Sequence, residues 1–208
     1  MAYSNSSLVS YTKLSPNHSG QRTHSIDRIT PHCVVGQLTA ESICGCFTSP
    51  SREASCNYGI GKDGKIALCV EEKNRSWCSS SSANDQRAVT IECASDLNHP
   101  YAMTIAVYNS LVKLCTDICK RNGKKKLLWL GDKTKTLNYS PKSDEMVLTR
   151  PSLVCKQVLS GRLAVFPSWG SGLQGNGSTG KFFLRICGFG LIPRPQKLVR
   201  CQEPEGSL

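Results

Sequence analysis

No stretch of the 208-residue chain is apolar for long enough to cross a bilayer, which excludes membrane insertion. The first 21 residues, Met1 to Gln21, are Ser-rich and polar and lack the apolar core of a secretory signal, so the chain is expected to begin in the cytoplasm. Twelve cysteines occur without that signal and without paired Cys/His spacings, so neither a disulfide framework nor a zinc knot is expected; buried free thiols are. Two further absences divide the chain. No histidine follows His99, and no aspartate or glutamate occurs between Met146 and Gln202.

The charge follows the same division. Lys and Arg number 26 against 15 Asp and Glu, a net charge of +11. Residues 1–149 carry 18 basic and 13 acidic side chains, a balance of +5, whereas residues 150–208 carry 8 and 2, a balance of +6. A basic protein can bind nucleic acid, but this excess sits in the last quarter, without an aromatic-basic platform, and excludes nucleic acid as the expected partner. That last quarter holds Gly170, Gly172, Gly175, Gly177 and Gly180, then Pro193 and Pro195, with no sustained periodicity.

Residues 25–149 carry folding signals. Ile29-Thr-Pro-His-Cys-Val-Val35 reads as a strand with His32 near its end, and Leu38 to Phe47 as a short helix. Two β-like runs flank Asp63-Gly64, a hairpin signal. Ala88-Val-Thr-Ile-Glu-Cys93 reads as a strand with Glu92 on the face opposite Val89, Ile91 and Cys93. A long helix is predicted from Pro100 to about Asn122, with Val107, Leu111, Leu114 and Ile118 on one stripe and Gly123 as its stop. The sum is an α/β domain, a central mixed β-sheet flanked by helices, followed by a poorly ordered tail. His32 and Glu92 are the polar groups such an architecture presents for chemistry, whereas His99 reads as a capping or surface residue.

Four segments, Ile29-Thr-Pro-His-Cys-Val, Ser55-Cys-Asn-Tyr-Gly-Ile-Gly-Lys-Asp-Gly64, Arg75-Ser-Trp-Cys-Ser79 and Arg87-Ala-Val-Thr-Ile-Glu92, jointly resemble zinc-dependent N-acetylmuramoyl-L-alanine amidases of the phage-endolysin and peptidoglycan-recognition type. The resemblance implies a hydrolase that cuts the amide between N-acetylmuramic acid and L-alanine in bacterial peptidoglycan, released from the cytoplasm to the cell wall. It implies a zinc ion held by two His and one Cys or Asp, with the fourth position open for a water whose pKa the metal depresses. His32 takes the first ligand position, and Glu92 that of a carboxylate assisting the attacking water. Cys56 stands where some members carry a tyrosine, so the role of that tyrosine does not carry over; Tyr58, two residues on, is a substrate-groove candidate.

The second His and the Cys ligand are expected directly after Met146-Val-Leu-Thr149, and they are absent; Cys155 alone does not complete the set. Written in permitted codons and read one nucleotide later, Arg150 to Trp169 spell Val-His-Arg-Trp-Phe-Ala-Asn-Lys-Ser-Cys-Pro-Gly-Asp-Trp-Leu-Tyr-Ser-Arg-Leu. That is the family's ligand segment, in place. A frameshift after Thr149 is therefore expected, with residues 150–208 an out-of-frame tail and hydrolysis impaired. The competing expectation is a non-catalytic peptidoglycan-binding module.

Overall fold

The computed structural model describes residues 3–149, so the expectations for the tail, Cys155 included, lie outside the described residues. Among the described residues, nine strands and four α-helices follow in chain order. They are β1 (Tyr11–Thr12), β2 (His18–Gln21), β3 (Arg28–Cys33), α1 (Ala40–Gly45), β4 (Tyr58–Ile60), β5 (Ile66–Leu68), β6 (Asn74–Ser76), α2 (Ser82–Asp85), β7 (Ala88–Cys93), α3 (Ile105–Arg121), β8 (Lys126–Leu128), α4 (Lys133–Asn138) and β9 (Glu145–Leu148). Seven strands form one sheet in the order β1-β5-β4-β7-β3-β9-β8, and β2 pairs with β6 in a small second sheet. β4, β7, β3, β9 and β8 run parallel, while β5 is antiparallel to β4. The α/β class with a mixed sheet is what the pattern predicts.

β3 and β7 occupy the middle, and every residue of β7 is buried, the pattern of a parallel strand covered on both faces. Their register pairs His32 with Glu92 and Ile29 with Val89, while Tyr58 of β4 pairs with Ile91 and Gly59 with Glu92. Side chains alternate along a strand, so His32, Glu92 and Gly59 share one face, and Tyr58 and Ile91 the other. α1 packs on the Gly59 face, where Ile43 lies 2.8 Å from a Cβ built at that glycine.

The hairpin forms at Asp63-Gly64 as predicted. Gly64 has φ +84°, and a Cβ there would meet Ala106 O of α3 at 2.9 Å, so both conformation and approach demand glycine. α3 buries the expected Val107, Leu111, Leu114 and Ile118, and also Cys115 and Cys119. It starts at Ile105 rather than Pro100, because the Thr104 hydroxyl accepts from Val107 N at 3.2 Å and caps it there.

Two features of the fold were not announced by the sequence. The polar lead-in is built into the fold: β1 pairs with β5, β2 with β6, and buried Asn17 donates from Nδ2 to the carbonyls of Phe47, Ser49 and Ala54 at 3.1, 2.9 and 3.2 Å. Backbone pairing and buried amide bonds carry this segment, and neither leaves a hydropathy pattern. The second feature corrects the expectation of free thiols: a disulfide joins Cys44 of α1 to Cys69 just after β5, with Cα atoms 5.3 Å apart. The packing of α1 across β4 and β5 brings together two cysteines 25 residues apart, which no spacing motif announces.

Candidate active site

β3 and β7 deliver His32 and Glu92 side by side near their C-terminal ends, where an α/β sheet offers its ligand crevice. The in-register pairing does the positioning, and the covered interior of both strands fixes it. His32 Nδ1 lies 3.0 Å from Glu92 Oε2, with side-chain exposures of 19% and 10%. A carboxylate only accepts, so Nδ1 carries the proton and Nε2 is the nitrogen left for a ligand. Burial pulls the His32 pKa down, but the charge and hydrogen bond of Glu92 outweigh it and hold the imidazole above its ordinary value.

A third residue joins the pair. Cys78 directs its thiol at Glu92 Oε1, 3.6 Å away, so each carboxylate oxygen has one donor. Burial, then the nearby charge of Glu92, push the Cys78 thiol well up and keep it protonated as that donor. Asp85 Oδ2 accepts from the amides of Cys78 and Ser79 at 3.0 and 3.1 Å and anchors the loop. The segment Arg75-Ser-Trp-Cys-Ser79 was legible as a motif, but nothing in it singles out Cys78; only the fold brings it to Glu92.

Tyr58 does not join them. Its side chain is fully buried on the opposite face, and its hydroxyl donates to Glu72 Oε1 at 2.5 Å while accepting from Ser6 N at 2.9 Å. It braces the N-terminal segment and does not line a groove, because its neighbours occupy both the ring and the hydroxyl. His99 is exposed, with its ring edge-on to Tyr101, as a surface residue would be.

Zinc requires three protein ligands at such a site. Among the described residues no group of three His, Cys, Asp or Glu side chains is placed to hold a metal ion. His32 supplies one ligand nitrogen, and Glu92 and Cys78 are turned toward each other. The described residues do not fit a complete zinc site.

A largely parallel sheet covered on both faces, with a His–Glu pair at the C-terminal ends of its central strands, defines an α/β domain with one candidate site. The chain belongs to the N-acetylmuramoyl-L-alanine amidase family, whose model matches residues 22–135. Among solved structures, it is similar to PlyL, with 12% identity and a TM-score of 0.45 over 53% of this chain and 72% of that one. A selenomethionine derivative of AmpD gives 17% identity and a TM-score of 0.48, covering 71% of this chain and 86% of that one. The Staphylococcus aureus hydrolase AmiA in complex with its ligand gives 13% and 0.48, covering 70% and 66%. No curated protein matches the chain in sequence.

Proposed function

We propose that this chain derives from a zinc-dependent peptidoglycan amidase of the phage-endolysin type that cleaves between N-acetylmuramic acid and L-alanine. Its second His and its Cys ligand are missing through a frameshift after Thr149. In this reading residues 25–149 are the catalytic domain and residues 150–208 are an out-of-frame tail. His32 is a metal ligand, and Glu92 is the carboxylate that assists the attacking water. The protein stays in the cytoplasm until it is released to the wall. The chain as written holds zinc weakly and hydrolyses little.

The observation that carries this reading is the register of β9 against β3. Arg28 pairs with Val147 and Ile29 with Leu148, and Thr149 continues the pairing by donating its amide to Ile29 O at 2.9 Å. The Thr149 and Thr30 hydroxyls meet at 2.5 Å, two residues short of His32. A strand continued in that register carries the second residue after Thr149 opposite His32. In the shifted reading that residue is a histidine. The second reading, for the chain as written, is a peptidoglycan-binding module without hydrolysis, since His32 is its one candidate ligand of the expected set.

Four measurements decide between these readings. The DNA across codons 148–152 is expected to carry one extra nucleotide relative to the ligand segment. Purified protein is expected to contain zinc far below one ion per chain and to leave a cell-wall suspension turbid, whereas the chain restored to the other frame binds zinc and clears it. Robust lysis by the chain as written overturns the proposal; wall pull-down without lysis supports the binding module.

A further inference from the structure

Arg28 lies on the same face of β3 as Thr30 and His32, four residues and roughly 13 Å before His32 at the opposite end of the strand. Its side chain is 4% exposed, yet Nε has no hydrogen-bond partner. The nearest carboxylate oxygen, Asp27 Oδ1, is 3.9 Å from Nε, beyond hydrogen-bond reach. Asp27 is turned elsewhere: it accepts from Arg87 Nε at 3.0 and 3.1 Å, and from Arg87 Nη2. Arg75 likewise has a buried Nε without a partner.

These three arginines line one recess of about 370 Å³, together with His24, Ser82 and Asn84. Three guanidinium groups against the single carboxylate of Asp27 leave a local charge of +2. Burial lowers the Arg28 pKa, the neighbouring Arg87 charge lowers it further, and Asp27 offsets this only in part. A guanidinium kept dry beside another cation is unfavourable unless an anion joins it. Natural structures rarely leave such donors unused, and an unused donor calls for a partner outside the chain.

We infer that this recess is a binding site for a phosphate-class oxyanion, separate from the His32–Glu92 pair. A carboxylate satisfies one guanidinium fork, as Asp27 does for Arg87, whereas the two guanidinium groups with an unused Nε, Arg28 and Arg75, match a tetrahedral group of two negative charges. The recess is larger than one phosphate and admits an attached polyol or sugar unit. That chemistry occurs both in small phosphorylated metabolites and in phosphodiester polymers of the cell wall. The inference does not depend on hydrolysis or on the frame of the tail.

The test uses the full chain at constant ionic strength set with sodium chloride, followed by calorimetry and by thermal unfolding. Inorganic phosphate is expected to bind saturably at one site and to raise the unfolding temperature, and acetate to do neither. Arg75→Ala, at a half-buried position, is expected to weaken phosphate binding by about tenfold or more. Arg28→Lys keeps a charge but loses the fork, and is expected to weaken it similarly while the circular dichroism stays unchanged. Poly(glycerol phosphate) that binds more tightly than phosphate, and loses that binding in Arg75→Ala, assigns the wall polymer. Glycerol phosphate binding without polymer binding assigns a small metabolite. Phosphate acting no differently from chloride, acetate competing equally with it, or Arg75→Ala binding phosphate as tightly as the parent chain overturns the inference.

Discussion

Glu72 and Glu92 are both buried carboxylates held near an edge of the same fold, yet they are partnered in opposite ways. Glu72, 1% exposed, receives Arg121 in a two-pronged contact at 2.6 and 3.0 Å and the Tyr58 hydroxyl at 2.5 Å. Its own backbone is tied as well, since its amide donates to Asn5 Oδ1 at 2.9 Å and its carbonyl accepts from Arg22 Nε at 2.6 Å. Glu92 has one imidazole and one thiol, the second a poor donor, and both it and His32 keep some exposure. A saturated carboxylate between a cation and fixed backbone is a brace. A carboxylate with only an imidazole and a thiol as partners, at the end of parallel strands, is the one to which the proposed function gives the chemistry.

The largest expected effect breaks the brace. Glu72→Ala strands the Arg121 guanidinium and the Tyr58 hydroxyl together, and is expected to cost about 3–5 kcal/mol in urea unfolding. A loss below about 1 kcal/mol would erase the contrast with Glu92. Next comes the covalent clip on the Glu92 side of the sheet. Replacing Cys44 and Cys69 by alanine opens a link across 25 residues and is expected to cost about 3 kcal/mol, read as a lower urea midpoint. The third effect is alkaline. Burial lifts the Cys119 thiol to about 12 and lifts Cys115 as well, with Cys119 adding to the latter. Unfolded thiols ionise near pH 9, so the unfolded state sheds protons first: stability is complete below pH 9 and falls as pH rises above it. Each such thiol contributes a loss of about 1.4 kcal/mol per pH unit until its folded pKa is reached. Replacing Cys119 by alanine should flatten that slope in thermal unfolding scans between pH 9 and 11.

The elements that were legible in the chain are those whose signal is local. The Asp63-Gly64 hairpin, the α3 stripe and the strands carrying His32 and Glu92 each follow from spacing within a dozen residues, and the pairing of the two strands then brings the candidate site together. What was not legible depends on contacts made only after folding. The Cys44–Cys69 link, the docking of residues 11–21 and the inward turn of Tyr58 all join segments far apart in the chain. Cys78 belongs with these, since its meaning lies in its distance from Glu92.

The smallest effect on stability is expected at Glu92 itself, and it separates brace from site. Glu92→Gln keeps the shape and one oxygen acceptor for His32 Nδ1, while Cys78 loses only a weak bond. The His32 side chain keeps 19% of its surface exposed, so water can take up what the imidazole loses. The unfolding free energy should therefore move by less than about 1 kcal/mol. In the chain restored to the other frame, the same substitution removes the group that would take a proton from the attacking water, and hydrolysis of cell wall is expected to fall by about 10²–10⁴-fold. Equal losses of stability and turnover would make Glu92 a second brace. A fall in turnover at constant stability makes it the chemical counterpart of Glu72, with two carboxylates of one fold divided between holding the structure and using it.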